Sequence, residues 1–235
     1  MIKLSDRLNM IAEEIERGET MADIGTDHGF LPVYLIQKGI SPYAVLGDIS
    51  VPTLEKSRET AREFLNPNQY SCRCGNGFEI LKEGEVDVVV IAGMGSKEMC
   101  DIIGKDIEKS KSFSKMILQP RKDIGILRYF LYKNGFSIEG EKLVRERKYI
   151  CEILTVRPKE DSDFWNKMRE EPEISIKWEI PEYYLNKGES LDIQLIKRKI
   201  KREKNIIKSK SLSKTADDYV NKKNIEYLER IIEGK

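Results

Sequence analysis

Four stretches combine residue types and spacings that could do chemistry, and each follows an apolar run. In MADIGTDHG (21–29) the run breaks between Gly25 and Gly29. Glycine adopts positive φ without strain and carries no side chain, so such a turn lets backbone N–H groups approach a ligand. The spacing is not GxGxxG, which disfavours a nicotinamide dinucleotide. Asp48 lies 23 positions after Gly25. A carboxylate there can accept both ribose hydroxyls of a nucleoside, or cap the helix that follows. Asn76, between Gly75 and Gly77, can offer its amide to an adenine edge or simply make a turn. Gly93-Met94-Gly95 leaves room for a flat base, or for close helix–strand packing. Asp27 could hold an amino group or cap the next helix. The single histidine, His28, reads as a structural or nucleoside-contacting group rather than a general base.

Positioning these residues requires strands that end at them. Short apolar runs predict strands over 20–24, 43–46, 70–73, 86–92 and 115–118. Helical spacing predicts helices over 30–37, 51–65, 97–103 and 124–133, with Ser96 as a cap. A further helix opens the chain at Ser5 or Asp6, carries Leu8, Ile11, Ala12 and Ile15, and ends at Gly18. The segment 136–157 alternates as two strands about a polar turn. Strands alternating with helices imply an α/β, doubly wound parallel sheet finished by a hairpin. Such sheets bind ligands at the carboxyl ends of their strands, where all four stretches fall.

Of 235 residues, 40% are hydrophobic and 34% charged, with net charge +1 and mean hydropathy −0.50. This describes a soluble protein with material for one core and an appendage. The opening residues lack the apolar core of a signal peptide, and 86–94 is too short to cross a bilayer, so a cytoplasmic location is expected. Cys72, Cys74, Cys100 and Cys151 have neither CxxC nor zinc spacing, which predicts reduced, mostly buried thiols and no metal.

After Arg157 the composition turns charged and irregular, which sets expected domains at 1–157 and 158–235. A long helix over 191–212 carries Ile193, Ile196, Ile200 and Ile207 on one seam, with Glu203 in the gap. A second helix over 216–232 places Val220, Tyr227, Leu228 and Ile231 on one side, making an α-helical hairpin or coiled coil. Between Lys197 and Lys214, Lys197, Arg198, Lys199, Lys201, Arg202, Lys204, Lys208, Lys210 and Lys214 stand against Glu203 alone. In a nearly neutral chain this one-signed face suits nucleic-acid phosphates; a merely solvated face is the alternative.

Asp23, Gly25 and Gly29 fit the (D/E)xGxGxG turn of S-adenosylmethionine-dependent methyltransferases, with Asp27 at the middle glycine. Taken in order, LSDRLNMIAEEI, ADIGTDHGFLPVYLI, GDIS, GNGFEIL, VVVIAGMGSKEM, ILQPR and KYICEILTV resemble the bacterial tRNA (adenine-22-N1)-methyltransferase family over about the first 157 residues. The helical tail matches that family in character only. The resemblance implies a Rossmann-like class I methyltransferase domain with a C-terminal coiled-coil domain. It implies S-adenosylmethionine as donor, S-adenosylhomocysteine as product, and methylation of N1 of adenine 22 in the D-loop region of tRNA. It places the donor on Gly25, Asp27, His28, Gly29, Asp48, Ile49, Asn76 and Gly77, and the acceptor and catalytic positions at Asp27, Gly93, Met94 and Gly95. No N-P-P-Y-type motif is present, which suits a ring-nitrogen acceptor. Two other readings stand beside it: a methyltransferase acting on a small molecule or protein, and a non-catalytic protein binding S-adenosylmethionine or RNA. The isoleucine seam leaves the oligomeric state open, with a monomer favoured.

Overall fold

A computed structural model describes residues 2–159, 168–173, 175–181, 190–212 and 218–234. The chain divides into two compact units, Met1–Glu170 and Glu171–Lys235. The boundary expected after Arg157 lies ahead of this division: the composition turns charged there, yet Met168 beyond it is still buried.

The first unit contains strands β1 (Met21–Ile24), β2 (Ala44–Asp48), β3 (Tyr70–Cys74), β4 (Val88–Met94), β5 (Lys115–Pro120), β6 (Ser137–Glu146) and β7 (Tyr149–Arg157). They form one seven-stranded sheet in the order β3-β2-β1-β4-β5-β7-β6. The first five are parallel; β7 pairs antiparallel with β5, and β6 antiparallel with β7. The strand order reverses between β1 and β4, which opens a crevice at their carboxyl ends. This is the Rossmann-like α/β architecture expected.

Helices α1 (Asp6–Ala12), α2 (Phe30–Gln37), α3 (Val51–Phe64), α4 (Ser96–Gly104), α5 (Ile107–Lys111) and α6 (Ile124–Lys133) cover both faces. The period-2 alternation of β4 separates the two cores. Val89 and Ile91 pack with Met99, Ile103, Leu127 and Leu131 on one face. Val88 and Val90 pack with Ile11, Leu31 and Leu35 on the other. A strand covered on both sides must be apolar at every position, and residues 88–91 are fully buried.

Several local expectations are corrected. Helix α1 stops at Ala12, although Ile15 beyond it is buried. Strand β4 runs on through Gly93 and Met94, and Gly95 rather than Ser96 caps α4. Ser96 instead donates its hydroxyl to the Lys122 carbonyl at 2.7 Å, tying α4 to the segment after β5. Helix α5 was not expected, because IEKSK has little apolar periodicity; the Asp106 carboxylate caps it by accepting from Lys109 N at 3.0 Å. The cysteines are less buried than expected: Cys74 is exposed and the others are partly covered. Burial still pushes the Cys100 thiol up to about 12.

In the second unit, α7 (Ile176–Glu179) precedes α8 (Ser190–Leu212) and α9 (Tyr219–Glu233). Trp178 is fully buried, with its indole N–H donating to the Pro172 carbonyl at 3.0 Å. Helices α8 and α9 pair antiparallel: Lys210 meets Asn221 at one end, and Lys204 meets Glu229 farther along. Glu203 occupies the gap in the apolar seam and is buried. It accepts from the side-chain amides of Asn221 at 2.7 Å and Asn224 at 3.2 Å, which satisfies a carboxylate that would otherwise be costly to bury. Val220 is 57% exposed, contrary to expectation, and Asn221 and Ile225 face inward instead. Positions 213–217, including Lys214 and the expected helix start at 216, lie outside the described residues. No described helix is long and apolar enough to cross a membrane.

Candidate functional site

A cleft of about 640 Å³ opens where β1 to β4 end. Gly25 follows β1, Asp48 ends β2 and Ile49 follows it, Gly75-Asn76-Gly77 follows β3, and Met94 ends β4; α4 closes the side with Ile102 and Asp101. Asp48 holds one carboxylate oxygen by accepting from Ser50 N at 2.7 Å, an arrangement that also orients the start of α3. Ile49 is 69% exposed although apolar, so it forms a ledge beside that carboxylate. Gly25 has φ +78°, and a Cβ there would stand 2.2 Å from Met94 Cε; only glycine leaves this corner open.

The cleft floor is braced from behind. Arg73 on β3 clasps Glu85 through two hydrogen bonds of 2.8 and 2.6 Å and donates to the Ile80 carbonyl at 2.8 Å. That pairing holds the Glu85 carboxyl down at about 2. Asp23, on β1 beneath the glycine turn, is shifted the other way. Burial pushes its carboxyl up to about 6, opposed by the Arg7 guanidinium and reinforced by Asp48.

At Gly93 the pairing of β4 with β5 slips, from Ala92 opposite Gln119 to Met94 opposite Pro120. This bulge, with Gly93 at φ +78°, re-aims the strand end. Met94 lines the first cleft, whereas Gly93 lines a second, of about 420 Å³, beside Arg7, Gln119, Arg121, Glu146 and Tyr149.

The first cleft therefore unites Gly25, Asp48, Ile49, Asn76, Gly77 and Met94. Asp27, His28, Gly29 and Gly95 line neither cleft. Gly29 is the left-handed cap of α2 with no side chain capping that helix, so Asp27 does not serve as its cap. The Asp27 side chain is 71% exposed and lies 3.5 Å from His28 Nε2, and His28 stacks on Phe30 at 5.1 Å between ring centroids. Sequence reasoning passed over Gly75, Ile102, Arg7, Arg121 and Tyr149. The ILQPR string was the one available signal for Arg121.

On α8, Lys197, Arg198, Lys201, Arg202, Lys204 and Lys208 are exposed, and a shallow groove is lined by Arg198, Lys201, Arg202 and Lys210. Lys199 departs from the expected open face. It is ion-paired with Glu179, and its side chain is only 14% exposed. Lys204 pairs with Glu229 at 3.1 Å, and Lys210 donates to Asn221 at 2.9 Å.

The profile of the Methyltransferase domain family matches residues 4–154. Over 154 residues the chain is 36% identical to the tRNA (adenine(22)-N(1))-methyltransferase of Bacillus subtilis, covering 65% of this chain and 64% of that enzyme. By the profile match the chain belongs to the Methyltransferase domain family. The matched stretch thus spans just under two thirds of the B. subtilis enzyme. The crystal structure of the B. subtilis tRNA methyltransferase TrmK is similar along the whole length: TM-score 0.79 at 26% identity, covering 100% of this chain and 97% of that one. The M. capricolum TrmK structure, determined with S-adenosyl-homocysteine, has TM-score 0.75 at 26% identity, covering 98% and 96%.

Proposed function

We propose that this protein transfers a methyl group from S-adenosylmethionine to N1 of adenine 22 in tRNA. The observation that carries this reading is the junction at Gly93–Met94, where Met94 lines the cleft at the sheet's switch point and Gly93 lines a second cleft with polar side chains. The residues of the first cleft fit the donor. The free oxygen of Asp48 faces the place of a ribose diol, Ile49 and Ile102 offer apolar surface to an adenine, and the Asn76 amide can reach its edge. Gly25 and Gly77 remove the side chains that would obstruct it. When bound, the donor supplies a methyl on a positively charged sulfur: the adenine N1 lone pair takes it as the C–S bond breaks, leaving a neutral thioether and a cationic 1-methyladenine.

No proton has to leave in that exchange, so the protein's task is alignment and exclusion of water rather than base catalysis. This agrees with His28 lying outside both clefts. Asp27, exposed and capping nothing, is proposed to accept from the adenine exocyclic amine and to offset the charge that forms. The target base must leave its stack to reach the junction, at a cost of a few kcal/mol. The exposed cations of α8, chiefly Lys197, Arg198, Lys201, Arg202 and Lys208, are proposed to bind tRNA phosphates, while Lys199 is withdrawn from that role by its pairing with Glu179.

The test is incubation with methyl-labelled S-adenosylmethionine and unmodified tRNA, followed by nucleoside digestion and mass spectrometry. The expected product is 1-methyladenosine, absent when adenine 22 is replaced. Donor binding without transfer to any tRNA would defeat the reading.

A further inference from the structure

The second cleft has a chemistry of its own. The Arg7 guanidinium is fixed on one side: Nη1 donates to Gln119 Oε1 at 3.0 Å and Nε faces Glu146 Oε1 at 3.4 Å. Glu146 is fixed in turn, accepting from Ser5 Oγ at 2.7 Å and from Arg7 N at 3.1 Å. Arg121 enters from the other side. The point where a Cβ on Gly93 would stand is 3.8 Å from Arg121 Nε and Nη2 and 3.9 Å from Arg7 Nη1.

Two guanidinium groups therefore converge over a glycine, and Glu146 is committed to Arg7. Among the described residues, the Arg121 side chain has no hydrogen-bond or ion-pair partner. An exposed, uncompensated guanidinium beside a second cation is an anion site, and its planar fork matches a phosphate. Tyr149, at the start of β7, lines the same cleft and is 59% exposed. Lys148 Nζ lies 5.3 Å from the ring centroid. An exposed aromatic ring next to a phosphate site is how proteins hold an unstacked nucleotide. Gln119 is held by its neighbours, its Nε2 donating to the Pro120 carbonyl at 2.8 Å and its Oε1 accepting from Arg7, and it is buried.

We propose that the second cleft seats the extruded adenine nucleotide, with Tyr149 stacking on the base and Arg121 binding its phosphate. Arg7, held by Glu146 and Gln119, is a positioning residue that keeps Arg121 turned toward the ligand. The proposal rests on the tRNA-methylating reading above and names the residues of its acceptor side. It also assigns a role to the hairpin of β6 and β7, which brings Tyr149 and Glu146 to the carboxyl end of the parallel sheet.

The test compares Tyr149→Ala, Tyr149→Phe and Arg121→Gln with the wild-type chain, measuring tRNA kinetics, S-adenosylhomocysteine affinity and thermal midpoint. A stacked base is worth about 1–3 kcal/mol, so Tyr149→Ala is expected to lower kcat/KM by roughly 5- to 150-fold, with Tyr149→Phe restoring most of it. Arg121→Gln is expected to raise KM for tRNA and to reduce the salt dependence of binding by about one phosphate contact. Product affinity and thermal midpoint should stay at wild-type values. Full activity of both Tyr149→Ala and Arg121→Gln, beside an active wild type, would overturn the seat while leaving the tRNA reading intact. Loss of activity accompanied by equal loss of S-adenosylhomocysteine affinity would overturn it too, in favour of a structural role. An inactive wild type that still binds S-adenosylhomocysteine would defeat the underlying reading first, and this proposal with it.

Discussion

Asp23, on β1, and Asp27, in the turn that follows, lie four positions apart and illustrate opposite uses of a carboxylate. Asp23 is desolvated, with its folded value raised from 3.8 to about 6. The unfolded chain therefore releases this proton first as pH rises, and native stability declines between about pH 4 and pH 6, then stays level. Asp23→Asn removes that cost. Its stability advantage over wild type is expected to grow through the same window and to plateau at about 2–3 kcal/mol above pH 6. Denaturant melts at pH 4, 5, 6 and 7 measure it; a constant difference at all four would show that Asp23 is not the titrating group. Asp27 is solvated, and its proposed work is in the reaction. Asp27→Ala should leave donor affinity unchanged and lower the methylation rate by roughly 10-fold, the scale of one charge-assisted hydrogen bond. Full-rate methylation by that variant would remove Asp27 from the chemistry.

At the level of elements, strand ends form the first cleft and a brace behind it keeps them there. The Arg73–Glu85 pair joins β3 to the segment after the Gly75-Asn76-Gly77 turn. The Glu85 carboxyl sits at about 2 in the fold against an ordinary 4.5, so its stabilisation is complete above pH 4.5 and fades as pH falls toward 2. Glu85→Gln should cost about 1–2 kcal/mol at pH 7 after allowance for the pair's partial exposure, with the deficit vanishing in acid. It should also weaken S-adenosylhomocysteine binding, because the turn carrying Asn76 loses its support. Calorimetric titration beside the melts reads both effects. A variant of normal stability and normal affinity would mean that the brace is idle. The bulge in β4 is the other element-level device. One extra residue divides the strand end between two clefts, with Met94 turned to one and Gly93 to the other.

At the scale of the whole molecule, a nearly neutral chain concentrates its positive charge on one helix of the second unit. Net charge hides this, since 41 basic residues are offset by 40 acidic ones. Replacing Lys201 and Arg202 with glutamate should weaken tRNA binding and flatten the slope of log affinity against log salt by about two contacts. The same change should leave S-adenosylhomocysteine affinity untouched, because both residues belong to the second unit and the donor cleft to the first. Filter binding across a salt series decides it; an unchanged slope would return α8 to the role of a solvated face.

By itself, the sequence determined the sheet, because strands buried on both faces must be continuously apolar and those runs are visible in 86–92 and 115–118. It also determined the residues at the strand ends, since a glycine turn and an acidic residue at the right separation are local facts. Tertiary structure decided what depends on distance in space. Arg7 and Arg121 are far apart in the chain and converge only because α1 and the end of β5 meet over Gly93. Tyr149 reached the same place through the antiparallel return of β7, and neither composition nor periodicity marks a ring that becomes exposed at a cleft. Lys199 reads like its basic neighbours on the helix, and only folding showed that Glu179 had taken its charge. Local pattern specifies elements because backbone preference and burial period act over a few residues. Charge pairing and cleft formation act between elements, and so they appeared only once the sheet and helices had brought those elements together.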